Sequence, residues 1–352
     1  MKQQRTTIRD VAARAGVSPA AVSSHINDKG RMGGATRERI QAAIEDLQFT
    51  PNGLIRALQN RRTHVLGLLI GGLESLQRHP DDAYTMLLLS GIYEAADRAQ
   101  QDIMLFTGWP NRPERMSGRE FLDGRVDGLL WLAPPLQSVV LNQIAGAGGL
   151  PVMAMLTRHV PGNVGYVNAD NLGGARAVIA HLVGLGHRRI AFAGPVQSSN
   201  FLDRFDGYRN GLDEAGIPFD SALAVTDSSL PFLLETTDDL FVNMLKNWRA
   251  LPEPPTAVFV CTDRWAARLG KVAIEQGLRI PEDLSVVGFD DAVLAERVFG
   301  GLTTVRQPFE DIGRLCVDHL LRLIDGEAAE DCSVTCPVTL MARASSAQPR
   351  RI

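Results

Sequence analysis

The 352-residue sequence predicts an α/β core of two doubly wound parallel-sheet lobes, preceded by a small N-terminal all-α helix-turn-helix domain. Three observations predict it. From residue 64 onward, apolar strand-like runs alternate with helical segments in two successive series of about 100 residues each. The first 50 residues instead crowd together three helical patterns. The charge also changes sign along the chain. Residues 1–62 hold 11 Lys/Arg against five Asp/Glu, a net +6, and the remaining 290 hold 25 basic and 35 acidic residues, a net −10. A basic head on an acidic body suits a polyanion at the head alone; a merely solvated basic surface would have the same charge.

In the head, "TTIRDVAARAG" opens the first helix. Thr7 can cap it, Asp10 stands three residues on as in a capping box, and Gly16 ends it. Ile8, Val11, Ala12 and Ala15 share one helical face. Ser18 is a good N-cap for the second helix, and Pro19 fits its first position, where the missing N–H costs nothing. Ala21, Val22 and Ile26 supply a buried stripe. The short Gly-containing turn between the two helices gives helix-turn-helix geometry. A third helix, about 36–47, buries Ile40, Ala43, Ile44 and Leu47. The stretch "GVSPAAVSSHIN" carries almost no bulk, which lets its helix approach a partner closely.

Next, "PNGLIRALQN" reads as about two turns of helix, too short to be stable alone. In the core, "HVLGLLI", "DIMLFTG", "VDGLLWLA" and "PVMAML" form the first strand series, with helices near 84–101 and 136–147. The second comprises "RRIAFAGP", "LAVTD", "TAVFVCTD" and "LSVVGFDD", with helices near 171–185, 203–215, 231–248 and 264–277. One more strand and helix follow in "LTTVRQPFEDIGRLCVDHLLRLIDG". Two such lobes make a cleft at the carboxyl ends of their strands, where ligands bind. Asp263 and Asp290 end successive strands there; Asp290-Asp291 also reads as a helix N-cap.

Other classes fit less well. No apolar run reaches 18 residues and no secretory h-region opens the chain, so a cytoplasmic location is expected. Cys261, Cys316, Cys332 and Cys336 have neither disulfide nor zinc spacing and are expected to be free thiols. No Gly-rich phosphate loop, metal-spaced His/Cys cluster or nucleophile elbow is present, so neither an enzyme nor a cofactor or metal is expected. The rival from another class is an enzyme or solute receptor using the same cleft. A carboxylate and a guanidinium converging on it suit sugar hydroxyls, and would also suit a nucleoside.

The head strings "TIRDVAARAGVSPAAVS" and "TRERIQAAIEDLQFTPN", followed in order by "VGYVNADNLGGARAVIAHLVGLGHRRIAFAGP", "RFDGYRNGL", "PTAVFVCTD", "IPEDLSVVGFDD" and "LTTVRQP", make the chain resemble the lactose-repressor (LacI/GalR) family of bacterial transcription regulators along nearly its whole length. The resemblance implies a homodimeric, sequence-specific DNA-binding regulator, a repressor, acting on a palindromic operator. Its core resembles periplasmic sugar-binding proteins and takes a small effector between the lobes: a sugar, with a nucleoside or base as the alternative. The implied organisation is a DNA-binding domain over 1–50, a hinge helix over 51–62, a first lobe over 63–167 plus 303–330, and a second over 168–302 plus 331–347.

By the same resemblance Thr7, Ser18, Ser23, Asn27 and Thr36 contact phosphates, while Pro19, Ala20 and Ser24 reach base edges. Asn52 belongs to the DNA-binding set, and Leu58 matches the hinge leucine that wedges into the minor groove. Arg204, Asp263, Asp290, Gln307 and Phe309 match effector-contacting or cleft-lining positions. The sequence departs from the family pattern in Gly33-Gly34 before the third helix, Ile55 in the hinge, Leu156 at a position that is polar in some members, and a long 71–84 loop carrying Arg78, His79, Asp81 and Asp82. A tetramerising tail is not expected.

An apolar wedge opens one base step and kinks the duplex. Leu58→Ala is therefore expected to weaken binding to a selected operator far more than binding to random DNA. The check is fluorescence anisotropy on both duplexes, and equal losses would reduce Leu58 to packing between hinges.

Overall fold

The computed structural model describes residues 6–26, 32–49, 62–70, 84–106, 118–195, 198–226 and 238–350. The expectations for Asn27, Asn52, Leu58, Ile55 and the charged residues of the 71–84 loop lie outside these. The chain divides into two compact units, Met1–His64 and Val65–Ile352.

The first unit holds α1 (Ile8–Ala15), α2 (Pro19–Ile26) and α3 (Gly34–Asp46). Thr7 and Asp10 form the capping box: the Thr7 hydroxyl accepts from the Asp10 N–H while the Asp10 carboxylate accepts from the Thr7 N–H at 2.8 Å. Gly16 closes α1 at φ 66°, a conformation that disfavours any residue with a Cβ. Ser18 Oγ accepts from the Ala21 N–H at 3.2 Å, so α2 starts where the Ser-Pro pair predicts. Val11, Ala12, Ala15, Val22, Ile40 and Ala43 form the buried centre. Ala21, Ile26, Ile44 and Leu47, expected in it, are only partly buried, because three short helices enclose few side chains completely.

The second unit runs, in chain order, β1 (Val65–Leu69), α4 (Tyr84–Arg98), β2 (Asp102–Phe106), β3 (Gly128–Leu132), α5 (Val139–Gly146), β4 (Val152–Met155), β5 (Gly165–Ala169), α6 (Asn171–Gly184), β6 (Ile190–Ala193), α7 (Ser199–Glu214), β7 (Ala224–Val225), α8 (Asp238–Arg249), β8 (Ala257–Val260), α9 (Asp263–Glu275), β9 (Ser285–Val287), β10 (Thr304–Arg306), α10 (Phe309–Ile324), β11 (Val334–Cys336) and β12 (Thr339–Met341). The first sheet has the order β11-β5-β4-β3-β1-β2 and the second β7-β6-β8-β9, both parallel throughout. This is the expected fold class.

Alternation along the strands fixes what covers each face. Leu66, Leu68, Leu130, Leu132, Met153 and Met155 point to one side of the first sheet, against α4 and α10. Leu69, Leu129, Trp131, Val152 and Ala154 point to the other, against α5 and Phe121. The second lobe wraps its own core around Phe192, Phe259, Trp265 and Phe241.

Pairing moves two of the expected lobe boundaries. β11, expected with the second lobe, pairs with β5 and completes the first sheet. Residues 303–306, expected with the first lobe, bridge to the second sheet through Val287↔Thr303 and Asp290↔Arg306, and β10 pairs with β12. The chain thus crosses between lobes near residues 170, 307 and 337, immediately after β5, β10 and β11. Strand hydrogen bonding decides these points, and composition does not reveal it.

Helices α4 and α10 touch backbone to backbone. A Cβ on Gly91 would lie 2.0 Å from the Glu310 carbonyl oxygen, and one on Gly313 would lie 2.2 Å from that of Leu88. Ion pairs Arg98–Asp318 (2.8 Å) and Arg314–Glu94 (3.3 Å) flank the crossing. Gly91→Ala or Gly313→Ala must push the helices apart and is expected to cost about 3 kcal/mol, the upper range for overpacking. Gly184→Ala, whose Cβ would meet nothing within 4 Å, is expected to be neutral or slightly stabilising. Urea unfolding of the full chain checks the contrast, and equal effects would contradict it.

Candidate functional site

On the head, three of the five expected phosphate-contacting residues stand at helix starts, while Ser23 lies in the middle of α2. Thr7 caps α1, Ser18 caps α2, and Thr36 is the third residue of α3. Helix N-termini present unpaired N–H groups and a positive dipole end, which suits phosphate. Ser18, Pro19 and Ala20 are exposed at the start of α2, while Ser23 and Ser24 are half-buried. His25 contacts Gln41 of α3 at 3.4 Å. Hydrogen bonds from Thr7 hold the Asp10 carboxyl below its usual range, so the capping box is intact at neutral pH and is lost only as pH falls through that lowered value. Gly33 gives α3 no side-chain cap.

In the second unit the site is built around Arg204 of α7, 2% exposed. Its Nε donates to Asn171 Oδ1 at 2.8 Å, and one terminal nitrogen donates to the Cys261 carbonyl at the end of β8. The other lies 3.3 Å from Asp290 Oδ1. The guanidinium also sits 3.9 Å from the centroid of the Phe289 ring, a cation–π contact. Gln307, at one crossover, donates from Nε2 to the same Asp290 oxygen at 2.7 Å. Gln307 Oε1 is buried without a hydrogen-bond partner.

Backbone strain marks the same place. Asp290 has φ 128° and Asp291 has φ 55°, both in the region that favours glycine, and Leu156 at the end of β4 has φ 55°. Asp291 is held there by Arg306 (2.6 Å) and Arg343 (2.7 Å). Neither aspartate caps a helix: the short 3₁₀ turn that follows, Val293–Glu296, has Ala292 at its N-cap and no side-chain cap.

Three of the five expected effector residues, Arg204, Asp290 and Gln307, therefore come together in one hydrogen-bonded cluster. The other two are placed differently. Asp263 is fully buried; one oxygen accepts from the Ala292 N–H at 2.8 Å and the other from the Thr304 hydroxyl. It fastens the 288–292 turn instead of lining the cleft, filling the space left by Gly288, where a Cβ would lie 2.2 Å from its Oδ1. Phe309 packs into the first-lobe core, 5.2 Å centroid to centroid from Tyr84, and reaches the site only through its N–H bond to the Gln307 carbonyl.

Sequence reading missed Asn171, Phe289 and a set of cross-lobe contacts. Asn171 had a local signal: it is the first residue of α6, just after the cap Asp170, at a strand exit. The contacts 157–159 to 199–203 had none. Burial pushes the Cys261 thiol up to about 12, so it is no thiolate at neutral pH; Cys316, Cys332 and Cys336 are also buried and free.

Comparison with known proteins follows the same division. Residues 7–52 match the model for bacterial regulatory proteins of the lacI family, and residues 179–346 that for a periplasmic binding protein-like domain. The HTH-type transcriptional regulator CelR of Thermobifida fusca is 32% identical over 98% of this chain and 99% of its own. The chain belongs to the lacI family of bacterial regulatory proteins. Among solved structures, a transcriptional regulator CelR–cellobiose complex is similar with a TM-score of 0.70 and 31% identity, over 97% of this chain and all of that one. A lac repressor dimer bound to operator and the anti-inducer ONPF has a TM-score of 0.75 and 26% identity, over 98% of this chain and all of that one. As a member of this family the protein is a helix-turn-helix DNA-binding transcription regulator, not an enzyme. Among the described residues, no helix is long and apolar enough to cross a membrane.

Proposed function

We propose that this lacI-family regulator is a repressor that binds a palindromic operator as a homodimer and answers to a neutral sugar held between its lobes. The carrying observation is the Arg204–Asp290–Gln307 cluster. Its guanidinium and carboxylate balance in charge, and most of the Arg204 donors already have protein partners, so little positive field is left for a phosphate or carboxylate ligand. What remains is an unpaired buried acceptor on Gln307 beside a carboxylate, a pair that asks for hydroxyl donors. The cellobiose in the CelR complex makes cellobiose the first ligand to try. Exposed Met86, Leu87 and Tyr93 on α4 offer apolar area of the kind a dimer covers.

We read residues 1–50 as the DNA-binding domain and 51–62 as the linker to the core. Thr7, Ser18 and Thr36 position the head on phosphates, and Pro19, Ala20 and Ser24 approach base edges closely enough for methyl contacts. Effector binding biases the lobes toward one arrangement and changes operator affinity by linkage, typically by 1–3 kcal/mol.

Operator anisotropy of the full chain, with cellobiose, glucose, ribose and adenosine added separately, tests this. A sugar should change operator affinity by about fivefold or more, the lower end of typical coupling, while adenosine leaves it unchanged. Arg204→Ala should lose that response with operator affinity kept within a few-fold. A response to adenosine alone, or a normal sugar response in Arg204→Ala, would overturn the assignment.

A further inference from the structure

The segment after β4 belongs to the first lobe, and α7 belongs to the second. Three consecutive residues of that segment reach the first turns of α7. Thr157 Oγ1 accepts from the Ser199 hydroxyl at 2.8 Å. Arg158 makes a two-pronged bond to Asp203, Nε to Oδ2 at 2.9 Å and Nη2 to Oδ1 at 2.8 Å. His159 Nε2 lies 3.6 Å from the same carboxylate.

The pair is unequal in a way that matters. The Asp203 side chain is 3% exposed and Arg158 is 45% exposed. Asp203 is thus a second-lobe carboxylate buried under a first-lobe guanidinium. When the lobes part, both ends regain water, so the contact exists only in the closed arrangement and contributes only there. A two-pronged guanidinium–carboxylate bond with one end desolvated is the strong form of such a pair. The hydrogen bond to the Asp203 carboxylate raises the Arg158 pKa above its already high ordinary value.

Position gives the pair its consequence. Asp203 immediately precedes Arg204, and α7 is a rigid sixteen-residue helix. Two glycines seat it against α6, Gly207 on the Leu172 carbonyl and Gly211 on Ile179, where any Cβ would clash. A first-lobe side chain gripping residue 203 therefore fixes the helix that presents residue 204 to Asn171, Cys261 and Asp290.

We propose that Arg158 and Asp203 form an inter-lobe latch, a positioning pair that touches no effector but sets how much of the protein is closed and how α7 offers Arg204 to the cleft. A ligand that needs the closed form binds with an apparent affinity reduced by the fraction closed. The latch would thus set the effector concentration at which the regulator responds, leaving its choice of effector unchanged.

The test uses the full chain without any effector, so it stands or falls independently of the sugar assignment. Spin labels at Asn142→Cys on α5 and Asn210→Cys on α7 report the inter-lobe distance by pulsed electron spin resonance, in protein diluted with unlabelled chains. Both positions are exposed and the four native thiols are buried, so labelling is selective. Arg158→Ala, at a half-exposed position, should keep the fold and its thermal midpoint within a few degrees while raising the longer-distance population at least threefold. Raising salt from 50 to 500 mM should move the wild-type distribution toward that of Arg158→Ala and leave the variant unchanged. Distributions of wild type and Arg158→Ala that superpose at both salt concentrations would overturn the latch.

Discussion

A guanidinium withdrawn from water must be met on every side, and the cleft is organised by how the fold meets Arg204. Desolvating a charge costs several kcal/mol, and the cost is offset only where partners are fixed in place. Here they come from Asn171 at the start of α6, the Cys261 carbonyl at the end of β8, and the Phe289 face and Asp290 after β9, with Gln307 bonded to Asp290 from behind. Two of these, Asn171 and Gln307, stand where the polypeptide passes from one lobe to the other. The charge that organises the site is thereby tied to the segments about which the lobes can move.

That arrangement makes the surrounding features intelligible together. The positive φ at Asp290 and Asp291 turns the chain so that successive carboxylates face opposite ways, one to Arg204 and the other to Arg306 and Arg343. Asp263 beneath them locks the turn from inside. The glycine contacts at Gly91–Gly313 and at Gly207 and Gly211 hold α4 to α10 and α6 to α7 at backbone distance, which leaves each lobe stiff. Two stiff lobes joined at three crossovers can change mainly by moving against each other, which is the motion a regulator can exploit.

Much of this was legible in the sequence. Helix starts at Thr7 and Ser18, and the end at Gly16, follow from local chemistry that tertiary structure does not override. The strand runs were readable because strands covered on both faces are apolar throughout. Arg204, Asp290 and Gln307 were reached through motif position, and the structure joins them. Short polar strands were harder: β5, "GYVNA", looks like neither an apolar run nor a clean alternation, and β11 lies beside it only through pairing between Val334 and Val167, far apart in the chain. The inward bonding of Asp263 was not legible, because a strand-end position says where a side chain begins, not that Gly288 leaves room for it to turn inward. The packing of the Phe309 ring into the first-lobe core was likewise not legible. Nothing in the order of residues joins Arg158 to Asp203.

The central claim is that Arg204 and Asp290 act as one buried unit and not as two independent cleft residues. A double-mutant cycle on the full chain, with Arg204→Met, Asp290→Asn and the two combined, followed by urea unfolding of the core, measures this directly. Each single change leaves a buried polar or charged partner uncompensated, so the pair should show a coupling energy of about 2 kcal/mol or more, within the range for contacting residues. Single effects that add to within about 0.5 kcal/mol, as they do for sites that share no partners, would contradict the account.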